Sequence, residues 1–295
     1  MLEKRKRLAK TGLQLFALFL GTCLVMEVYT RIPDKLDIRP LKLSPNTKEA
    51  VLLFHGAKDE LNPELEAITS SYKNLISKRK DSVVVNYDWS PGSNNRLRAS
   101  SNAMELGSAL GKELAEYQNL NYLRVIAHSA SGFIPDELCR AYKKEGGKAY
   151  IETTFLDAFG LRGFLDSNYG VRNHGSCADY SMNIVNTDDP APTTNKFFKN
   201  SWNLDVTGLH RPEGFVFRQD PRSKKDDIWL GVSEKLDDVK RNLSNPKQQN
   251  NGHYWPPYYF LETLDEETVT PGKRSHKDFP RGLVVKAPEL NQTAH

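Results

Sequence analysis

The chain has 295 residues, 38% of them hydrophobic, which is enough for one large domain or two small ones with a real core. Lysine and arginine total 41 against 37 acids, a formal charge of +4, and beyond the N-terminus the two signs are interspersed, so no nucleic-acid partner is expected. Three cysteines, Cys23, Cys139 and Cys177, lack the paired spacing of a metal site, and the last two are open to either one disulfide or two buried thiols.

The N-terminus opens with the basic "MLEKRKRLAK" and continues as "TGLQLFALFLGTCLVMEVY", apolar from Leu13 to Tyr29 except at Gln14 and Glu27. Its length falls between a signal-peptide core of about 7–15 residues and a spanning helix of about 20. Residues 1–30 are therefore predicted to be a signal anchor or a signal peptide, with the basic end cytoplasmic and the body outside the cytoplasm. The body is then membrane-anchored, or secreted or periplasmic if the segment is cleaved. No small-x-small cleavage pattern follows the segment. Residues 31–48 are polar and proline-rich, and read as a linker to a domain over 49–263.

Strands and helices then alternate. "AVLLFHG" is a continuous apolar run, as in a buried parallel strand, and Pro63 opens a helix striped by Leu65, Ile68, Tyr72, Leu75 and Ile76. "SVVVNYDW" is a second strand, followed by the break "SPGSNN" and a helix striped by Ala103, Leu106, Leu110, Leu114 and Tyr117. "YLRVIA" is a third strand, with Ile134, Leu138 and Tyr142 on the helix after it, and "KAYIETTFLD" is a fourth. This alternation predicts an α/β fold with a mostly parallel central sheet covered by helices on both faces. Later come strands at "YSMNIVN" and "WNLDVTG", and a helix capped by Asp226 and Asp227 with Val232, Leu236, Val239 and Leu243 on one face. Residues 264–295 are charged and contain prolines, and are predicted to be a poorly ordered tail.

The chemistry centres on "RVIAHSASGF". It is close to the G-x-S-x-G of serine hydrolases, with Ala127 and Ser131 where the glycines would stand. In such an elbow the serine sits at positive φ between a strand and a helix, and small neighbours let the chain turn. Ser129 is the candidate nucleophile; the bland reading is a serine capping the next helix. His55-Gly56 ends the first strand where such a hydrolase places its oxyanion loop, so the backbone amides near Ala57 and Ala130 are the candidate oxyanion hole. Asp157 ends the strand after the elbow helix and is the candidate acid. His253, in "NGHYWPPYYF", is the candidate base, on a loop stiffened by Pro256 and Pro257, with its aromatics expected to line the pocket. The order serine, acid, histidine is that of the α/β-hydrolase fold.

"VLLFHG", "VVNYDWSPGS", "RVIAHSASG" and "TFLDAFG" occur in order and are spaced as in the pancreatic and lipoprotein lipase branch of α/β-hydrolases, which the chain resembles over about residues 50–260. "GHYWPPYY" looks like the His-x-Trp-Pro-x-x-Tyr ending of bacterial relatives of these lipases. The resemblance implies a carboxylic ester hydrolase, acting on a small acyl ester or a lipid, and supports Asp157, because the acid of that branch follows the strand after the elbow helix. It departs at Ala127 and Ser131, and the lipid-binding sandwich of the animal lipases is absent.

Asp188 and Asp189 compete for the acid position, since they follow the later strand that supplies it in most α/β-hydrolases. Asp205 is a further candidate, and His210 competes with His253. His128 adjoins the nucleophile and is expected to pack or bond structurally, and Asp88-Trp89 to order the loop after its strand. "NHGSCAD" groups His174, Cys177 and Asp179, but one short loop with these residues is a weak metal motif. No metal and no cofactor are expected, because side chains and backbone supply the chemistry. Two other functions stay open: a thioesterase, amidase or acyltransferase on the same triad, and a non-catalytic interaction protein on a hydrolase scaffold.

Overall fold

The computed structural model describes residues 2–57, 63–189, 191, 193–211 and 252–290. Helix α1 (Leu2–Arg31) contains a 22-residue stretch, Lys10–Arg31, long and apolar enough to cross a membrane, with mean hydropathy 1.7. Strand β1 (Glu49–Phe54) is buried at every position, as its apolar run requires. Helix α2 (Pro63–Leu75) starts on a proline, whose missing N–H is harmless in a first turn, and places Glu64 and Glu66 at the positive end of its dipole. Strand β2 (Ser82–Tyr87) leads through the short α3 (Ser90–Ser93) into α4 (Ala99–Ala115).

Strand β3 (Tyr122–His128) is wholly buried and passes through a 3₁₀ turn, Ser129–Phe133, into α5 (Ile134–Lys144). Strand β4 (Tyr150–Leu156), the short α6 (Tyr169–Asn173), β5 (Tyr180–Val185) and β6 (Trp202–Asp205) follow. A 3₁₀ turn, Gly252–Tyr254, opens α7 (Trp255–Glu262), and β7 (Val284–Lys286) ends the described chain's elements.

The strands form one sheet in the order β2-β1-β3-β4-β5-β6-β7, and every neighbouring pair is parallel. All strand C-termini therefore share one edge. Leu52, Phe54, Leu123 and Val125 pack on one face with Ala103, Leu106 and Leu110 of α4 and Ile134 and Leu138 of α5. Val51, Leu53 and Ile126 pack on the other with Leu65, Ile68 and Tyr72 of α2 and Trp255, Tyr259 and Phe260 of α7. The chain goes outward from β1 to β2 and then crosses back to β3, so the strand order reverses between β1 and β3. In open α/β sheets the crevice beyond that reversal is where ligands bind. This is the α/β-hydrolase architecture.

The structure corrects several boundaries. Residues 31–48, expected as a linker, pack on the body: Leu41 and Leu43 are buried, and their N–H groups donate to Glu113 Oε1 (2.7 Å) and the Tyr117 hydroxyl (3.2 Å). Residues 264–290, expected as a poorly ordered tail, bury Val269 and Ala287 and add β7 to the sheet beside β6. A three-residue strand in a charged stretch carries no periodicity of its own; the free edge of β6 supplies its ladder. The stretch "WPPYY", expected to line the pocket, instead forms α7 and buries Trp255 and Tyr259 in the core. Cys139 and Cys177 form a disulfide between α5 and the loop before β5. The helix expected after Asp226 and Asp227 lies outside the described residues.

Candidate active site

Ser129 follows β3 directly and has φ +55°, while His128 before it is extended, with φ −105°. A left-handed conformation at a residue with a side chain costs on the order of 1–3 kcal/mol and persists only where the surroundings enforce it. Here they do. Phe159 N–H donates to the Ser129 carbonyl at 2.8 Å. The Ser131 hydroxyl lies within donating distance of the carbonyls of His128 (2.7 Å) and Phe54 (2.9 Å), tying the turn to both strands. Ser131 is thus a brace, where the serine hydrolase motif has a glycine. The close approach such a glycine allows has moved one residue on: a Cβ on Gly132 would lie 2.8 Å from Ala158 Cβ.

Gly56 follows β1 and touches the serine. A Cβ placed on it would sit 2.9 Å from Ser129 Cβ and 3.3 Å from Oγ, so only glycine fits. The corner is held from β2's end. Trp89 Nε1 donates to the His55 carbonyl (2.8 Å), and Trp89 N–H donates to His55 Nε2 (3.2 Å). That makes Nε2 the acceptor and leaves Nδ1–H to donate to the Gly56 carbonyl at 2.8 Å. Asp88 orders the loop after its own strand by accepting from Ser90 N–H (2.9 Å), while Trp89 braces the loop after β1 that carries Ala57. Ala130 lies in the first turn after β3, where backbone N–H groups have no partner within the helix.

His253, in the turn before α7, is largely buried. Its ring lies 4.7 Å from that of His128, centroid to centroid, and its carbonyl accepts from His128 Nε2 at 3.3 Å. The residue beside Ser129 therefore holds the histidine brought from over a hundred residues away. His253 Nδ1 is 3.1 Å from Asp157 Oδ2 and 2.9 Å from Asp189 Oδ2. Parallel pairing of β4 and β5, with Leu156 opposite Ile184, puts both strand-end carboxylates in reach of one imidazole.

Both acids are fixed by β5 and the segment after it. Asp157 has φ +46°, donates its N–H to the Ile184 carbonyl (3.0 Å), and accepts at Oδ1 from Asn186 N–H (3.1 Å). Asp189 accepts at Oδ1 from Ala191 N–H (3.1 Å), and at Oδ2 from the Thr194 hydroxyl. Burial pushes the Asp157 carboxyl well above its ordinary range, against the hydrogen bond from His253, and the charge on Asp189 adds to the rise. Burial also opposes ionisation of Asp189, but His253 and the hydrogen bonds around it hold that carboxyl well below the ordinary range. For His253, burial lowers the pKa; the charge of Asp189 and the hydrogen bonds to both carboxylates outweigh it and leave the imidazole well above 6.5. These opposite shifts make Asp189 the more readily ionised of the two carboxyls.

The remaining candidates lie elsewhere or do other work. Asp188 is exposed, Asp205 caps Thr207 N–H (2.9 Å) and pairs with Lys286 (3.3 Å), and His210 is exposed, with its N–H on Glu289. His174 is buried with Nε2 on the Phe159 carbonyl (3.0 Å), Asp179 accepts from Ile151 N–H, and Cys177 is in the disulfide, so "NHGSCAD" is a structural loop. Among the described residues, the ligand atoms that come close enough for a metal ion are those of Asp157, Asp189 and His253, within 4.8 Å of one another. The imidazole and the Thr194 hydroxyl both donate to Asp189 Oδ2. Thr194 carries no motif and was not legible in the sequence.

No family model matches the chain, and no curated protein does. Among solved structures, the crystal structure of Aspergillus fumigatus lipase B aligns at 13% identity with a TM-score of 0.34, covering 52% of this chain. The alignment spans 41% of that lipase's length.

Proposed function

We propose that the protein is a serine hydrolase acting on carboxylic esters. The observation that carries this reading is the meeting of His253 with two strand-end carboxylates at the sheet edge where Ser129 occupies a positive-φ turn. Ser129 Oγ attacks the acyl carbonyl as His253 Nε2 takes its proton. Charge developing on the carbonyl oxygen is met by the amides of Ala57 and Ala130. His253 returns the proton to the leaving alcohol, and an acyl-enzyme forms. Water, deprotonated by the same nitrogen, then releases the acid and restores Ser129.

Asp157 and Asp189 share the third role. Asp157 stands where the pancreatic and lipoprotein lipase branch has its acid, and Asp189 where most α/β-hydrolases have theirs. Asp189 supplies the charge that stabilises the imidazolium, and Asp157 fixes the ring. Hydrolysis of a panel of nitrophenyl esters by the wild type, Ser129→Ala and His253→Ala tests the reading. Each variant is expected to lose about 10⁴-fold or more in kcat/KM. Ester turnover that survives Ser129→Ala excludes it.

A further inference from the structure

The end of α1 is built into the body at the catalytic edge. Thr30 is 1% exposed, and its carbonyl accepts from Ser101 Oγ at 2.8 Å. Arg98 lies over the Tyr29 ring at 3.9 Å and donates to the Tyr29 carbonyl and to Asp34. The Glu27 carboxylate accepts the N–H groups of Phe164 (2.7 Å) and Leu165 (3.0 Å) and pairs with Arg31. A Cβ on Gly163 would meet both Glu27 oxygens at 2.8 Å. Two segments grip the helix, one following β2 and one following β4. Both leave the sheet at the edge where Ser129, Asp157 and Asp189 lie. Close contacts connect the grip to the site: Asp34 bonds Asn102, Asn102 bonds the Gly92 carbonyl, Gly92 abuts Trp89, and Trp89 holds His55-Gly56 against Ser129.

Around this grip lie exposed apolar side chains: Ile32 is 51% exposed, Leu97 48% and Leu165 62%. They continue the exposed apolar surface of α1, in which Val28 is 51% exposed, past the point where the helix reaches the body. Lys35 beside them is an exposed cation, suited to lipid phosphates. We propose that this face, Ile32, Leu97 and Leu165 around the end of α1, rests on the bilayer that α1 crosses. The catalytic edge is then held at the lipid surface in a fixed orientation. The proposal rests on the anchored reading of α1 and, for the meaning of that edge, on the hydrolase reading. The lipid occupant follows from continuity with a helix whose apolar stretch no other described residue covers.

The test uses the full-length chain with Cys23→Ser, in phosphatidylcholine vesicles, with the disulfide intact. A fluorophore is placed on Leu97→Cys, Leu165→Cys or, as the distant control, Lys144→Cys at the exposed far end of α5. Nitroxide lipids labelled near the headgroup are expected to quench positions 97 and 165 severalfold more than 144. Glu27→Gln is expected to reduce quenching at 165 while the labelled protein stays in the vesicle fraction. Equal quenching at all three positions, none at 97 and 165, or loss of α1 from the mature protein by mass overturns the proposal. Labelling of Ser129 by a fluorophosphonate is read in the same samples. Its failure with quenching retained removes the hydrolase and leaves the membrane face.

Discussion

At the residue scale, the two acids make a prediction that one acid would not. An imidazole must be neutral to accept a proton, and His253 is held above its ordinary 6.5 by the charge of Asp189. The acid limb of kcat/KM should therefore lie alkaline of pH 6.5. Asp189→Asn should move it to lower pH, because removing the negative charge destabilises the imidazolium. Each single Asp→Asn change is expected to cost about 10- to 10²-fold, and the double change about 10⁴-fold, the loss seen when a sole acid is neutralised. A pH–rate series on the three variants checks both points, and an unmoved limb in Asp189→Asn contradicts the assignment of charge. The same raised pKa links to folding: the contribution of His253 to stability is present below pH 6.5 and is lost as pH rises through its folded value. The sequence left Asp188 and Asp189 undivided, because adjacent aspartates in a turn differ only in which one points inward. Sharing between Asp157 and Asp189 was not legible at all, since it depends on β4 and β5 being neighbours. Gly56 offers a second test. Gly56→Ala places a methyl 2.9 Å from Ser129 Cβ and should cost activity on the order of 10²–10³-fold, the usual loss when an oxyanion donor is displaced. Steady-state kinetics of a still-folded variant decides it.

At the element scale, β1 and β2 were legible from their apolar runs, and α2, α4 and α5 because their stripes face a sheet. β7 was not, since its three residues are all exposed and sit among charges and prolines. α7 was misplaced for a different reason: Trp255 and Tyr259 are equally at home in a pocket wall or a core, and their burial with the bond from Trp255 Nε1 to the Val206 carbonyl (3.0 Å) shows which. The disulfide was left open by cysteine count and is decided by proximity. It ties α5, the helix that backs the elbow, to a loop across a separation of 38 residues. By loop closure alone that is worth about 4 kcal/mol. Urea denaturation with and without reductant should show a loss approaching that size, with a steeper slope after reduction because the untethered chain unfolds to a more exposed state. No change on reduction would mean that the helix needs no tether.

At the scale of the whole molecule, residues 264–290 and the end of α1 with residues 31–48 both pack on the body. The C-terminal segment brings Arg274 onto Glu152 (3.4 Å) and the Thr268 carbonyl (2.7 Å), beneath the sheet beside the buried Arg124. Arg274→Met leaves the buried Glu152 with Arg124 alone, at 4.0 Å, and should destabilise by about 1–3 kcal/mol. Thermal denaturation measures this, and an unchanged Tm would show that the segment adds little. At the other end, α1 and residues 31–48 brace α4 and the loop after β4, so the end of α1, the fold and the sheet edge that carries Ser129 form one connected structure. The central claim within it is that Ser129 is a nucleophile. Reaction of the full-length protein with a fluorophosphonate, followed by peptide mass spectrometry, tests that claim most directly. The account predicts one adduct, on Ser129, abolished in Ser129→Ala and strongly slowed in His253→Ala. No adduct on the folded wild type, or an adduct that persists in Ser129→Ala, would contradict it.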